Sequence, residues 1–350
     1  MRNPVSLGVF LATTLAVLVG TQTAADAAHQ LSAAAAANHS SEVFIANTRR
    51  MTFVSKVNGH RYSIDVALPD VPPPAGGYPV IYVLDGDFYF GSMAEAARVI
   101  GNAPQAIVVG IGYPHDLAWT ASVLAKYRPL PAVFAAFPQF EAALELERMY
   151  DLSLPLNKVQ LADIGARGVP VTAADVGGMD DFLKIIETDV KPRVYALGKI
   201  DRGNQTLFGH SLGGLAVLDA LFSEPKAFRT FVAASPSIWW GDKEVLGKEK
   251  AFSDRVSAGE IAPRVLITVG GEEDAVPALP SQTALQRELM ETQIKKLRMI
   301  ENACELAGRL KALHGLGSYE VADCAIFPAQ GHNISVWPAI GRAISFAFPQ

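Results

Sequence analysis

The segment Gln205–Phe222, QTLFGHSLGGLAVLDALF, contains Gly209-His210-Ser211-Leu212-Gly213, a G-x-S-x-G pentapeptide. A serine held at a sharp strand-to-helix turn needs small neighbours, which Gly209 and Gly213 supply, and Gly214 lets the following helix pack close. A β-rich apolar run precedes the pentapeptide and an amphipathic helical pattern follows it, which is the context this motif requires. The chemistry of such a turn is nucleophilic. The Ser211 hydroxyl attacks a carbonyl, and the Leu212 N–H at the helix start is one donor to the oxyanion that develops.

An activated serine needs an imidazole to take its proton. Seven histidines are present. His29 and His39 lie near the N-terminus, His60 in a hairpin turn, and His314 at the end of a long helix pattern. His210 sits inside the turn, pointing away from Ser211, and His115 follows a strand too early in the chain. His332, in Ala329-Gln330-Gly331-His332-Asn333 after the last apolar strand, fits the chain order serine, acid, histidine. The acid that orients this imidazole belongs between them, just past a strand. Val265–Val269 runs into Gly270-Gly271-Glu272-Glu273-Asp274, and spacing alone leaves both Glu273 and Asp274 open. A second oxyanion donor is expected after an earlier central strand. Val80–Leu84 leads into Asp85-Gly86-Asp87, so the N–H of Gly86 or Asp87 is the candidate, within a turn that also caps a helix. Trp239 and Trp240 follow the strand Thr230–Ala234 and are either a substrate wall or core residues.

These residues need a frame. Val43–Val57 and Tyr62–Leu68 read as a β-hairpin turned at Asn58-Gly59. Short continuous apolar runs follow at Val80–Leu84, Ala106–Ile111, Thr206–Phe208, Thr230–Ala234, Val265–Val269 and Cys324–Phe327. Runs without polar alternation fit strands buried on both faces of a parallel sheet. Helical patterns fall between them at Met93–Gly101, Asp180–Ala196, Gly213–Ser223, Ser281–His314 and Trp337–Phe346. The alternation predicts an α/β fold, a mostly parallel central sheet with helices on both faces, in one domain spanning 42–350. Asp116–Glu147, rich in alanine with Trp119, Phe134, Phe137 and Phe140, breaks the alternation. It is either a lid or wall over the site, or a helical hairpin packed on the body.

The 350 residues are 50% hydrophobic and 19% charged, with 30 Lys+Arg against 35 Asp+Glu for a net charge of −5. This composition supports a large core and, with no basic stripe, argues against nucleic-acid binding. Met1–Ala28 reads as a secretory signal peptide: Arg2, the apolar run Leu7–Gly20, then Ala25-Asp26-Ala27 as a cleavage site. The run is too short to span a bilayer, so export to the periplasm or the medium is expected, with no membrane span left after cleavage. Residues 29–41 form a low-complexity spacer. Two cysteines, Cys304 and Cys324, cannot build a cysteine-based zinc site; they either pair in an oxidising compartment or stay as buried thiols. No cofactor or metal is implied. Gly110-Ile111-Gly112-Tyr113-Pro114-His115 lacks the third glycine of a dinucleotide fingerprint, and neither a phosphate-binding loop nor H-E-x-x-H occurs.

The chain resembles the esterase branch of the α/β-hydrolases that includes enterobactin and other siderophore esterases, with esterase D and the mycolyltransferases further off. The resemblance rests on PVIYVLDGD (79–87), IVVGIGYP (107–114), RMYDLSLP (148–155), GGMDDFLKIIETDVKP (177–192), TLFGHSLGGLAVLDALF (206–222), VAASPSIWW (232–240), ITVGGEED (267–274) and GHNISVWP (331–338). It implies an α/β-hydrolase fold and a serine esterase acting on a small-molecule ester, with Ser211 as nucleophile, His332 as base, and Gly86 and Leu212 serving the oxyanion. Relatives commonly end the strand before the acid in V-G-x-x-E, which favours Glu273 over Asp274. The stretch 116–147 departs from the family pattern where the acyl pocket should be bordered. Two rival functions share these residues: acyl transfer to an acceptor other than water, and a non-catalytic secreted binding protein, which has no need of both Ser211 and His332.

Overall fold

A computed structural model describes residues 44–99, 105–127, 130, 134, 137–166, 171–275 and 283–348. The expected leader and spacer lie outside the described residues. The fold belongs to the unit Ile45–Gln350.

Strands β1 (Thr48–Val54) and β2 (Arg61–Ala67) form the expected hairpin, paired antiparallel from Thr48 opposite Ala67 to Val54 opposite Arg61. Then come β3 (Tyr78–Val83), helix α1 (Gly86–Val99), β4 (Ile107–Gly112), α2 (Leu117–Lys126), α3 (Gln139–Asp151), α4 (Lys158–Ala166), α5 (Met179–Ile185) and α6 (Lys191–Tyr195). The second half holds β5 (Ile200–His210), α7 (Leu212–Ser223), β6 (Thr230–Ala234), α8 (Glu249–Ser257) and β7 (Arg264–Gly270). It closes with α9 (Ala284–Leu297), α10 (Met299–Lys311), the short β8 (Glu320–Val321) and β9 (Ala325–Phe327), and α11 (Val336–Ala347). The sheet order is β1-β2-β4-β3-β5-β6-β7-β8, with β9 also on β7. The β2 strand meets β4 antiparallel, and every pairing from β4 to β9 is parallel.

The continuous apolar runs have a direct cause. Side chains alternate across a strand, so a sheet covered on both faces needs apolar residues at every position. In β3 and its continuation Val80, Tyr82 and Leu84 enter one core, and Ile81 and Val83 enter the other. The second core is closed by Phe90 and Met93 of α1 and by Ala339, Ile340 and Ile344 of α11. The first is closed by residues of α3, α5, α7, α8 and α10, among them Leu146, Phe182, Leu215, Phe252 and Leu306.

Several expected boundaries shift. Helix α1 begins at Gly86 rather than Met93, with Asp87, Phe88 and Tyr89 in its first turn. The Asp180–Ala196 pattern is one path interrupted by a π-turn at Ile186–Val190, just before Pro192, which has no N–H for the preceding turn. The long pattern 281–314 breaks at Arg298, whose φ of 50° ends one helix and starts the next. Strand β5 starts six residues before Thr206, its polar leading part pairing with β3 only at Tyr78–Ile200 across an irregularity.

Cys304, on α10, and Cys324, just before β9, form a disulfide that closes a span of 20 residues. On a chain-entropy basis a loop of this size contributes about 3 kcal/mol. Among the described residues, no helix is long and apolar enough to cross a membrane.

Candidate active site

In an open α/β sheet, ligands bind beyond the carboxyl ends of strands where the chain switches direction across the sheet. Here β3 is followed by β4 on one side and by β5 on the other. Asp85-Gly86 leaves the end of β3, and Ser211 leaves the end of β5.

Ser211 has φ 60° and ψ −118°, a conformation that side-chain-bearing residues adopt at a cost and that aims its hydroxyl out of the turn. A Cβ at position 209 would stand 2.3 Å from the Gly213 oxygen, and one at 214 would stand 2.8 Å from the Ala234 oxygen. Only glycine fits at either place. The turn is tied to β6 by Ser211 N–H donating to Ala234 O at 3.0 Å.

The Ser211 hydroxyl lies 3.0 Å from His332 Nε2, and His332 Nδ1 lies 2.8 Å from Glu273 Oε2. A carboxylate only accepts, so Nδ1–H donates to Glu273 and the Nε2 lone pair faces the serine O–H. The Glu273 side chain is fully buried. Its Oε1 accepts from Ser235 Oγ and from Gly270 N–H at 2.7 Å, and Ser335 Oγ stands 3.3 Å away. Burial alone would raise its pKa. The hydrogen bond and charge of His332, with Ser235 and the Gly270 amide, outweigh burial and hold it below the usual range.

Asp274, the competing acid, makes no such contact. Its Oδ1 is buried without a hydrogen-bond partner among the described residues, and burial, then Glu301 and Glu273, raise its pKa. The structure therefore brings Glu273, not Asp274, to His332.

His210 hydrogen-bonds with Tyr89 and the loop of the base. The His332 carbonyl accepts from His210 Nε2–H at 3.0 Å and from Ser335 Oγ at 2.8 Å. The other nitrogen, Nδ1, then accepts from Tyr89 O–H at 3.2 Å. Burial, with His332 beside it, holds the His210 pKa well down, so the ring is neutral. Tyr89, His210, Ser235 and Ser335 thus fix the loop that carries the base. Sequence reasoning missed them, although Ser235 and Ser335 lie inside the stretches VAASPSIWW and GHNISVWP.

Above Ser211 opens a cleft of about 450 Å³ lined by Phe88, Tyr89, Glu145, Arg148, His210, Ser211, His332, Asn333 and Trp337. Gly86 and Leu212 are the first residues of α1 and α7, where backbone N–H groups have no partner within the helix. Gly86 lies so close to β4 that a Cβ would stand 2.5 Å from the Gly110 carbonyl carbon. Trp239 and Trp240 do not line this cleft, which corrects the reading of them as a wall. Trp240 is buried and donates its Nε1–H to Leu154 O at 3.0 Å, while Trp239 stands beside Trp240 and lines a separate small pocket with Gln160 and Ile164. The aromatic lining comes instead from the first turns of α1 and α11.

Within 116–147 the described residues form α2 and the start of α3, with Trp119 buried against Tyr113 and Phe140. The second of these helices lends Glu145 to the cleft. Arg148 on α3 is held by Asp85 through Nε–Oδ1 at 2.8 Å and Nη2–Oδ2 at 2.9 Å, linking α3 to the β3 end. One turn on, buried Asp151 accepts from Tyr62 O–H at 3.1 Å and Tyr113 O–H at 2.9 Å.

Burial, then the charge of Glu147, push Asp151 from the ordinary 3.8 up to about 8, against the two tyrosine hydrogen bonds. A carboxyl whose folded pKa exceeds its unfolded value ionises more readily in the unfolded chain. Its contribution to stability falls as pH rises through this window, and the loss is complete above it. Asp151→Asn should therefore gain Tm over the parent as pH goes from 4 to 8. An advantage of about 4 °C or more is expected at pH 8, since 1 kcal/mol moves a domain of this size by roughly 2–4 °C. Thermal melts at both pH values check this; an advantage that does not grow with pH contradicts it.

The sheet order, the turn at Ser211 and the cluster around it define an α/β-hydrolase. The family model described as "Putative esterase" matches residues 157–308. The chain is 33% identical over 301 residues to the ferri-bacillibactin esterase BesA of Bacillus subtilis, covering 84% of this chain and 86% of that one. It is 28% identical over 307 residues to the siderophore triacetylfusarinine C esterase of Aspergillus fumigatus, covering 85% and 91%. Among solved structures, the BES protein of Bacillus cereus superposes with a TM-score of 0.66 at 28% identity, over 89% of this chain and 99% of that one. The chain belongs to this esterase family.

Proposed function

We propose that the protein is an exported serine esterase that cleaves a siderophore-type carboxylic ester through an acyl-enzyme, with 42–350 as its catalytic domain. The observation that carries this reading is the unbroken relay from Ser211 Oγ through His332 to buried Glu273, at 3.0 and 2.8 Å. Ser211 Oγ attacks the ester carbonyl as its proton passes to His332 Nε2. Glu273 keeps the ring in the tautomer that leaves Nε2 free, and stabilises the imidazolium that forms. The Gly86 and Leu212 amides receive the oxyanion at two helix starts, where the dipoles also favour negative charge. His332 then gives its proton to the leaving alcohol, and afterwards takes one from the water that releases the acyl group.

Export is supported by the apolar leader pattern of residues 1–28 and by the disulfide, which belongs to oxidising compartments. The substrate class is supported by two relatives named as a ferri-bacillibactin esterase and a siderophore triacetylfusarinine C esterase. Incubating the purified protein with an iron-free tricatechol trilactone and analysing the products tests it. Ring-opened and trimmed catechol esters are expected, whereas an intact lactone alongside rapid hydrolysis of 4-nitrophenyl acetate would remove the siderophore assignment and leave the esterase.

A further inference from the structure

Asp85 stands where α1 leaves the end of β3, and its backbone accounts for only part of what it does. Its φ of 53° lies in the left-handed region, where aspartate and asparagine are the least penalised residues with a side chain. Its carbonyl opens α1, accepting from Phe88 N–H at 3.0 Å and from Tyr89 N–H at 3.1 Å. Asparagine would serve both purposes.

The side chain has a further task. Its carboxylate is 2% exposed and accepts from the Arg148 fork, from Nε at 2.8 Å and from Nη2 at 2.9 Å. The oxygen that meets Nη2, Oδ2, also lies against the first turn of α7, where a Cβ at Gly213 would stand 3.1 Å from it. One carboxylate, carried by the residue that opens α1, is thus seated on the start of α7 and tied to α3. The other flank of the turn is fixed separately. Asp87 accepts from Tyr113 N–H at 3.0 Å and pairs with His115 Nε2 at 2.5 Å, both just past β4.

A bare carboxylate at this place works against ester cleavage, because its charge opposes an oxyanion at the same two helix starts. The guanidinium removes that opposition, and two parallel hydrogen bonds give the carboxylate a fixed direction. Oxyanion stabilisation depends on donors set in place before charge develops. A misplacement of about 1 Å is enough to lose on the order of 10²-fold in rate.

Building on the serine-esterase reading, we propose that Asp85, clamped by Arg148, is a positioning residue of the oxyanion hole: it holds the first turns of α1 and α7 in the register that lets the Gly86 and Leu212 amides meet one oxygen.

The test compares 4-nitrophenyl acetate with O-(4-nitrophenyl) thionoacetate, which differ only in the carbonyl atom. Sulfur is larger and a weak hydrogen-bond acceptor, so donors spaced for oxygen give the thionoester little help. Each kcat/KM is divided by the hydroxide-catalysed rate of the same ester, giving an oxygen-to-sulfur preference that reads how well the site receives an oxyanion. Loss of folded protein or of the serine–histidine pair lowers both rates together and leaves the preference where it was. In Asp85→Asn, kcat/KM for the oxygen ester should fall roughly 10–100-fold and the preference about tenfold. A parental preference in Asp85→Asn overturns the proposal, since the residue then serves the backbone alone. Should that variant not fold, Asp85→Asn/Arg148→Met leaves no buried charge unpaired and should show the same drop. A parental preference there also overturns it. A parent protein that cleaves neither ester removes the esterase reading and this role with it, whereas cleavage with a preference indifferent to Asp85→Asn removes this role only.

Discussion

Ser211→Ala should lower kcat/KM for 4-nitrophenyl acetate by about 10⁴-fold or more, with the fold intact by circular dichroism. The large effect follows from geometry. The hydroxyl lies 3.0 Å from an imidazole whose other nitrogen is held by a buried carboxylate. Alanine is small enough for the turn, whose φ of 60° is enforced by the hydrogen bonds of Ser211 N–H and O to Ala234 and Ser237. His332→Ala should cost a comparable factor, and the double variant should be little worse than either single one, because serine and base act as a unit. A residual rate within tenfold of the parent would mean that another group attacks the ester.

Glu273→Gln should cost about 10²–10⁴-fold in kcat, whereas Asp274→Asn should stay within about twofold of the parent. The two carboxyls are adjacent in sequence, but their surroundings are opposite. Glu273 accepts from His332, Gly270 N–H and Ser235, and is held as a carboxylate; Asp274 has a buried oxygen with no donor in reach among the described residues. A glutamine keeps the shape but presents an N–H₂ group that His332 Nδ1–H cannot use, so the ring is free to turn or to take the other tautomer. Steady-state kinetics on both variants checks this. A larger loss in Asp274→Asn would move the acid to that residue and would require the loop after β7 to rearrange.

Much of this was legible in the chain because local chemistry and global pattern agreed. Gly209, Ser211 and Gly213 are demanded by one backbone turn, and the apolar runs are demanded by a sheet buried on both faces, so both show in one dimension. The hairpin was equally legible at Asn58-Gly59. What could not be read depends on folding back across the sheet. The choice of Glu273 over Asp274 is made by Ser235 at the end of β6, Gly270 at the end of β7 and Ser335 at the start of α11. No spacing encodes that meeting. Trp239 and Trp240 suggest an aromatic wall because they follow a sheet strand, but Trp240 is tied to Leu154 and Trp239 lines a separate small pocket. Phe88, Tyr89 and Trp337 take that place because α1 starts seven residues earlier than its apolar periodicity shows, and because α11 begins directly after the base. Arg148 reads as an ordinary helix-surface residue until Asp85 is seen to face it from the end of β3.

The most direct test of the central claim is covalent capture of the nucleophile. A fluorophosphonate mimics the tetrahedral intermediate and bonds irreversibly only to a hydroxyl that an adjacent base activates. The full-length protein should take up one phosphonyl group, and peptide mass spectrometry should place it on Ser211, with labelling lost in Ser211→Ala and strongly slowed in His332→Ala. An adduct on a different residue, or hydrolysis that continues unchanged in fully labelled protein, would contradict the account.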